Sequence, residues 1–439
     1  MAADSPPLNI LIVGCSIAGP TLATLLLLSP LPAPQKPHIT ILERAPALRP
    51  HGQNVDVRGA GVTILRKLGL LPAVRAATTG EEGVQFVDAG NRVWAAFPAD
   101  RSGEVSTPTA DIEILRGRLA QLCWRRSEQV SERVKREGGA GIEFVFGEQL
   151  DELEQLGDTV QVRFAKSGVR RAFDVVVGAD GLQSRTRRMA WGAEGEGERV
   201  RRLGMYGGFF SMPRVTATDS AWRRWFHAPG RRGIMLRPDG TGERTTVFMA
   251  VVSDDARLDA AATSGRGGVQ VQKELMREHF EDVGWESGRV IREMMATDDF
   301  YYDAVAQVKM ETWSKGRVVL VGDAGYCASP ISGMGTTLAL SGAYNLAGAL
   351  LHHPNDPAAA FAAYEAAMRP TVARAQKLVP GMPHILHPET AWGVWVLNAI
   401  MFVLYRSGLI SLLVRFVGPP AHAVPVKDYG FEELSEDLE

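Results

Sequence analysis

Residues 9–42 read NILIVGCSIAGPTLATLLLLSPLPAPQKPHITIL. Asn9 to Val13 shows no polar alternation and is rich in Ile, Val and Leu, the pattern of a parallel strand buried on both faces. The turn Gly14-Cys15-Ser16-Ile17-Ala18-Gly19 follows at once. A helix is expected from Gly19 to Leu28, a Pro-rich connection stops it over Ser29 to Pro37, and His38 to Leu42 reads as a second strand. The stretch is therefore a βαβ unit, and it predicts an α/β fold with a nucleotide-binding opening.

Outward from this unit, Val84 to Phe97 alternates around Asp88-Ala89-Gly90-Asn91 and predicts an antiparallel hairpin. Leu115 to Ser127 reads as a helix with Leu119 and Leu122 on one face. Residues 142–173 are strand-rich, and FDVVV (173–177) is another buried strand, ending at Gly178-Ala179-Asp180-Gly181. Between Arg201 and Tyr302, the segments LGMYGGFFSM, RGIMLRP and RTTVFMAVV alternate between Pro, Gly and Asp turns, as an antiparallel sheet would. GRVVLV (316–321) returns to the parallel type, and an Ala/Leu helix runs to about Leu351. The expected organisation is a Rossmann-like domain over 8–80, 105–190 and 305–375, an inserted antiparallel substrate domain with helices over 81–104 and 191–304, and a C-terminal helical segment over 376–439. The mixed Arg/Glu stretch from Arg187 to Arg202 reads as solvated surface.

Composition narrows the function. The 439 residues are 45% hydrophobic and 22% charged, and 48 Lys+Arg against 50 Asp+Glu leave a net charge of −2, without the basic excess of a nucleic-acid binder. Small molecules are the expected partners; the oligomeric state is left open. Cys15, Cys123 and Cys327 lie far apart, which supports neither a metal site nor a disulfide framework. With no signal peptide in MAADSPPLNILIVG, a reducing, cytoplasmic setting is expected. The apolar run from Trp392 to Tyr405 falls short of the roughly 20 residues that span a bilayer. A docking helix is expected over 392–416, with membrane contact as the less favoured reading.

The chemistry-bearing residues lie at the strand ends. Gly14, Ser16, Ile17, Ala18 and Gly19 sit between strand and helix, where backbone N–H groups and the helix N-terminus attract a pyrophosphate. Glu43, beside Arg44, closes the second strand, where a carboxylate can accept an adenosine ribose. Asp323 follows GRVVLVG and can hydrogen-bond the polyol chain of a cofactor. Gly333, Met334, Gly335 and Thr336 begin a helix whose N–H groups can stabilise negative charge, such as that on a reduced isoalloxazine ring.

Three segments together resemble the class A flavin monooxygenases, the group built like para-hydroxybenzoate hydroxylase. GCSIAG resembles the ADP-binding fingerprint, DVVVGADGLQSRTR (174–187) the Asp-Gly motif, and GRVVLVGDAGYCASPISGMGTT (316–337) the Gly-Asp motif. The resemblance implies FAD as cofactor, NADPH or NADH as reductant, dioxygen as oxidant and an apolar aromatic or polyketide-like substrate. It implies hydroxylation, with epoxidation and Baeyer–Villiger oxidation as variants. It makes Glu43 the adenosine-ribose ligand, Arg116 of RGRLAQL a flavin-side ligand, Asp323 the ribityl ligand, and Asp180 a support of the nucleotide sites. QNVDVRGAG (53–61) resembles the stretch beside the isoalloxazine, so Gln53 is a flavin-side residue and Arg58 either an active-site residue or an ion-pair partner.

Two residues depart from the pattern. Ser16 replaces the second Gly, and Tyr326 stands where relatives often carry a His, so no acid or base is assigned at the flavin. The alternatives are an oxidase or halogenase on the same scaffold, or a catalytically silent flavin-binding protein. Trp392-Gly-Val-Trp395 lacks the spacing of the halogenase signature. His227, His384 and His387 lack metal spacing and read as structural or solvated. Cys327 reads as a small buried hydrophobe. Tyr206, Phe209, Phe210, Trp222, Trp225 and Phe226 suit sheet core and pocket wall equally.

Overall fold

The computed structural model describes residues 6–48, 52–99, 111–263, 268–408 and 423–435. The chain opens with β1 (Asn9–Val13), α1 (Ala18–Leu27) and β2 (His38–Glu43), the βαβ unit of the decisive stretch. Next come β3 (Asn54–Val57), α2 (Ala60–Lys67), α3 (Leu71–Ala76), the hairpin β4 (Gly83–Val87) and β5 (Val93–Pro98), β6 (Ile112–Leu115), α4 (Arg116–Arg136) and β7 (Ile142–Phe146). A small antiparallel sheet, β8 (Leu150–Leu156), β9 (Thr159–Phe164) and β10 (Arg170–Phe173), precedes β11 (Val175–Gly178), α5 (Arg185–Trp191) and α6 (Glu196–Arg199).

The second half begins with β12 (Val200–Pro213), β13 (Arg223–Ala228), β14 (Arg232–Pro238) and β15 (Arg244–Val252). Three helices follow, α7 (Ala256–Thr263), α8 (Val269–Phe280) and α9 (Ser287–Ala296), then β16 (Tyr301–Val308). The chain returns through β17 (Ser314–Lys315), β18 (Val318–Leu320), α10 (Asp323–Tyr326), α11 (Gly335–His352) and α12 (Pro357–Ala375) to α13 (Ala391–Ser407).

Two large sheets organise these elements. The first has the order β17-β18-β11-β1-β2-β7, parallel except for β17, with its strand order reversing at β1. In such sheets ligands bind outside the carboxyl ends of the strands at the reversal. An open cleft of about 420 Å³ lined by Asn9, His38, Gly141 and Arg171 lies at the opposite ends of β1 and β2, away from that position. The second sheet has the order β16-β12-β15-β14-β13-β4-β5. Its Phe210, Phe226, Ile234 and Met249 pack under α7–α9, where Leu258, Ala261, Leu275, Met276, Phe280, Val290 and Met294 recur at helical spacing.

A buried ion-pair network joins the two-stranded antiparallel ribbon of β3 and β6 to the second sheet. Glu81 precedes β4, Glu113 lies on β6, and their carboxylates are 1% and 3% exposed. Arg223 on β13 reaches Glu81 at 2.8 Å and Glu113 at 2.9 Å, while Arg237 on β14 reaches Glu81 at 2.9 Å and also pairs with Glu113. Burial pushes the Glu81 carboxyl up, but Arg237 and Arg223 outweigh it and hold it below the usual carboxylate range. Asn54 on β3 completes the contact, donating to Glu113 at 3.0 Å and accepting from Thr246 at 3.1 Å.

The structure corrects two expectations. Arg187 is fully buried rather than solvated, because its guanidinium donates to the carbonyls of Ala324 and Leu182 and pairs with Glu196. Within the segment 376–439, residues 423–435 are not helical. Pro425 and Gly430 interrupt any helical run there, and Tyr429, Phe431 and Leu434 bury themselves against the first domain. α13 docks Leu397, Met401 and Leu404 towards the β4–β5 hairpin, while Trp392, Trp395, Phe402 and Val403 face outward. Positions 409–416 of the expected docking helix lie outside the described residues. Among the described residues, no helix is long and apolar enough to cross a membrane.

Glu81→Ala would leave two mostly buried guanidinium groups, 12% and 13% exposed, sharing one carboxylate. It is expected to cost about 3–5 kcal/mol in chemical unfolding of the flavin-loaded protein. A loss under about 1 kcal/mol, the level of a surface pair, would contradict this role for the network.

Candidate flavin site

Close backbone approach builds the site. Gly14 has φ +116°, and a Cβ there would lie 2.4 Å from the Ala179 carbonyl oxygen, so the first turn is pressed directly against the Asp-Gly segment. A Cβ on Gly19 would lie 2.1 Å from the Gly14 carbonyl oxygen, which makes the last glycine of GCSIAG equally obligatory. Ser16 is absent from the residues with positive φ, so the middle position makes no conformational demand for glycine. Gly322 stands between Ala339 and Ala18, whose Cβ atoms would lie 3.6 and 3.8 Å from a Cβ at that position. Three segments far apart in sequence thus converge outside the carboxyl ends of β1, β11 and β18.

Two helices begin there. Neither α1, with Ile17 at its cap and Ala18 and Gly19 in its first turn, nor α11, with Met334 at its cap and Gly335 and Thr336 in its first turn, has a side-chain cap or a first-turn acid. Their free N–H groups and positive dipole ends suit a pyrophosphate and an electron-rich ring edge. Glu43 accepts from the N–H groups of Cys15 at 3.0 Å and Ala45 at 2.8 Å, which places its carboxylate beside the glycine turn. Arg44 is exposed beside it. Asp323 is half-buried, and its Oδ1 lies 3.9 Å from the Cβ position of Gly335.

Asp180 turns inward to its own loop, accepting from Ser184 Oγ at 2.5 Å and from the Thr186 N–H and hydroxyl at 3.0 Å each. It therefore shapes the segment that touches Gly14 rather than presenting its carboxylate to a ligand. Arg187, donating to Ala324 O at 2.7 Å, ties that segment to the Gly-Asp motif.

The QNVDVRGAG stretch borders the α11 entrance. The Arg58 N–H donates to Thr337 Oγ1 and the Thr337 hydroxyl donates to Arg58 O, both at 3.1 Å. The Arg58 guanidinium is 7% exposed and pairs with Asp56 at 3.0 Å, and Asp56 Oδ2 stands 3.7 Å from the Cβ position of the exposed Gly333. Gln53 accepts from the Arg116 N–H at 2.9 Å, and the exposed Arg116 acts electrostatically on Tyr301 and Asp303.

Asp303, Tyr301 and Ser329 were missed by sequence reasoning. Burial pushes the Asp303 carboxyl up, against hydrogen bonds from Gln183 and the Ala304 N–H and the pull of Arg116, with Asp323 adding to the rise. An acid in phase with Tyr301 and Val305 on an alternating strand was the available signal. Ser329, at φ +75°, carries a buried hydroxyl without a hydrogen-bond partner at the entry to the Pro330–Gly335 loop. Such backbone strain clusters at ligand sites. Burial raises the thiols of Cys15 and Cys327, so neither supplies a thiolate.

The face of the second sheet opposite α7–α9 forms the outer wall. Cross-strand register aligns Tyr301, Phe209, Phe248, Met235, Trp225 and Phe86 in one row. Tyr301 stacks on Phe209 at 4.7 Å and Phe209 on Phe248 at 4.5 Å, while Ile331 of the α11 entry loop packs into the cluster containing Phe248. Beyond Trp225 lie His227 and His387. Burial lowers both imidazoles, His387 to about 4, so both are neutral near pH 7.

Comparison with known proteins agrees with this geometry. Residues 8–379 match the family described as FAD binding domain. "FAD-dependent monooxygenase asL6" of Sarocladium schorii is 35% identical over 410 residues, covering 92% of this chain and 94% of that protein. "Monooxygenase CTB7" of Cercospora beticola is 32% identical, covering 85% and 88%. The crystal structure of tetracycline destructase Tet(55) superposes with a TM-score of 0.73 at 29% identity, covering 96% of this chain and 99% of that one.

Two outcomes follow from this geometry. Asp323→Ala should weaken FAD by one to two decades, about 1.5–3 kcal/mol for a charge-assisted hydrogen bond, and purify largely without flavin. Equal flavin content in variant and parent would contradict it. The ordinary imidazole value is 6.5 and folded His387 titrates at about 4, so over that window the unfolded chain binds more protons. Stability is then full above pH 6.5 and declines towards pH 4, by about 3 kcal/mol from this group. His387→Phe should make that acid limb shallower in denaturant titrations, with His227 keeping the remainder; an unchanged limb would assign it elsewhere.

Proposed function

This chain belongs to the FAD-binding-domain family and is an FAD-dependent monooxygenase, and we propose that it inserts one oxygen atom from dioxygen into an apolar aromatic or polyketide-like small molecule, with NADPH or NADH as reductant. The observation that carries the proposal is the aromatic row from Tyr301 to Trp225 facing the uncapped start of α11. A flat apolar ring fits between such a wall and a cofactor ring.

FAD, when bound, would supply the redox chemistry, hydride acceptance from a nicotinamide and activation of dioxygen. The protein's own residues do the positioning. The α1 N-terminus holds the pyrophosphate, Glu43 the adenosine ribose and Asp323 the ribityl chain, while the α11 N-terminus stabilises negative charge at the ring edge next to it. Phe209, Phe248 and Tyr301 keep water from the transfer step. An electron-rich carbon, activated by a phenol or enol oxygen, is the preferred acceptor, so hydroxylation is the proposed outcome. The three buried free thiols suit a reducing compartment, and we place the protein in the cytoplasm.

The test is turnover under labelled dioxygen, with compounds first selected because they accelerate anaerobic flavin reduction by NADPH. A product carrying one labelled oxygen is expected. Unlabelled product with hydrogen peroxide in equal amount would make the protein an oxidase.

A further inference from the structure

The far end of the aromatic wall holds a concentration of buried nitrogens without partners. Trp225 Nε1, both ring nitrogens of His227, and His387 Nε2 all lack a hydrogen bond, although His227 and His387 are only 3% and 1% exposed. The rings form one cluster: Trp225 and His227 have centroids 5.0 Å apart, His227 and His387 5.5 Å, and Phe86 stacks on both Trp225 and His227. They meet where Gly233, opposite His227 in register, contributes no side chain. A Cβ on Gly233 would lie 3.3 Å from Trp225 Nε1 and 3.5 Å from His387 Nε2, so both nitrogens lie against the bare backbone of Gly233. The backbone fixes His387 there, because Pro388 O and Glu389 O accept from the N–H groups of Arg231 and Gly230.

We propose that Trp225, His227 and His387 form a hydroxyl-recognition subsite at the distal end of the substrate pocket, receiving a phenolic or enolic O–H of a polycyclic substrate. The proposal rests on the monooxygenase reading above and names its substrate class more closely.

The donor inventory selects a hydroxyl. Trp225 Nε1 only donates. His387 Nδ1 lies 3.2 Å from Pro383 O, and a carbonyl only accepts, so in the neutral ring Nδ1 carries the proton and Nε2 accepts. A hydroxyl satisfies both nitrogens at once, whereas a carbonyl leaves His387 Nε2 unpaired and an ammonium leaves Trp225 unpaired. Neutral His227 adds one donor and one acceptor, which suits a carbonyl and hydroxyl side by side. The wall sets the size. From Tyr301 on β16 to Trp225 on β13 there are four strand spacings, about 19 Å. That is the length of several fused rings, with the oxidised carbon at the Tyr301 end and the anchoring hydroxyl at the other.

Two probes test this on the FAD-loaded protein by calorimetric titration: 2,6-dihydroxyanthraquinone, whose hydroxyls are not tied to the ring carbonyls, and its dimethyl ether, which cannot donate. The wild type should bind the phenol at least about tenfold more tightly than the ether. In His387→Phe that ratio should fall to about one through loss of phenol affinity, with a cooperative melting transition retained. Trp225→Phe, which keeps an aromatic ring against Phe86, serves as the second variant and should lose the preference in the same way. Equal binding of both probes by the wild type, binding of neither, or a preference that survives in both variants overturns the subsite. None of these readings requires turnover, so the subsite can fail while labelled dioxygen still enters product, and the reverse.

Discussion

The buried pairing of Glu81 and Glu113 with Arg223 and Arg237 is the contact on which the site's geometry depends. These side chains connect the β3–β6 ribbon, which Gln53 precedes and Arg116 follows, to the two strands that carry Trp225 and Met235. Taking four charges out of water is expensive, and a hydrophobic contact of equal area would hold the domains together as well or better. What the network adds is register: each guanidinium meets both carboxylates, so a slip between ribbon and sheet breaks several bonds together. That register sets the aromatic row on the face that Ile331 of the α11 entry loop contacts.

The cofactor side uses a different economy. Gly14 and Gly19 allow backbone contacts that no side chain would permit, and the space saved brings two helix N-termini to one edge of one sheet. Asp180 and Arg187 do not face that edge; they shape and tether the segment behind it. A substitution at either would act on the cofactor through the backbone of 179–187.

The βαβ unit, the Gly-Asp segment and the residues at their strand ends were legible in the sequence because parallel strands buried on both faces are apolar throughout and glycine turns punctuate them. The β4–β5 hairpin was legible from Asp88 to Asn91, with Asn91 at φ 63° in the turn. What could not be read was contact between distant strands. Nothing in the neighbours of residues 81, 113, 223 and 237 marks them as a quartet. Arg187 sits in a run of Arg and Glu that looks solvated, and its burial depends on the Ala324 carbonyl, 137 residues further on. Asp303, Trp225 and His227 become site residues only once the register of the second sheet aligns them on one face. The tail after Ala423 carries Pro425 and Gly430, which break helical structure locally, and its burial depends on contacts of Tyr429, Phe431 and Leu434 with a domain far away in sequence.

We propose that FAD binds with its pyrophosphate at the α1 N-terminus and its ring between the Pro330–Gly335 loop and the Tyr301–Phe209 wall. A crystal structure of the FAD-loaded protein at about 2 Å tests this most directly. The account predicts density for the ribityl hydroxyls at Asp323 and for the isoalloxazine edge at the first N–H groups of α11. Flavin bound elsewhere, or a ring separated from the aromatic wall by a packed protein layer, would contradict it.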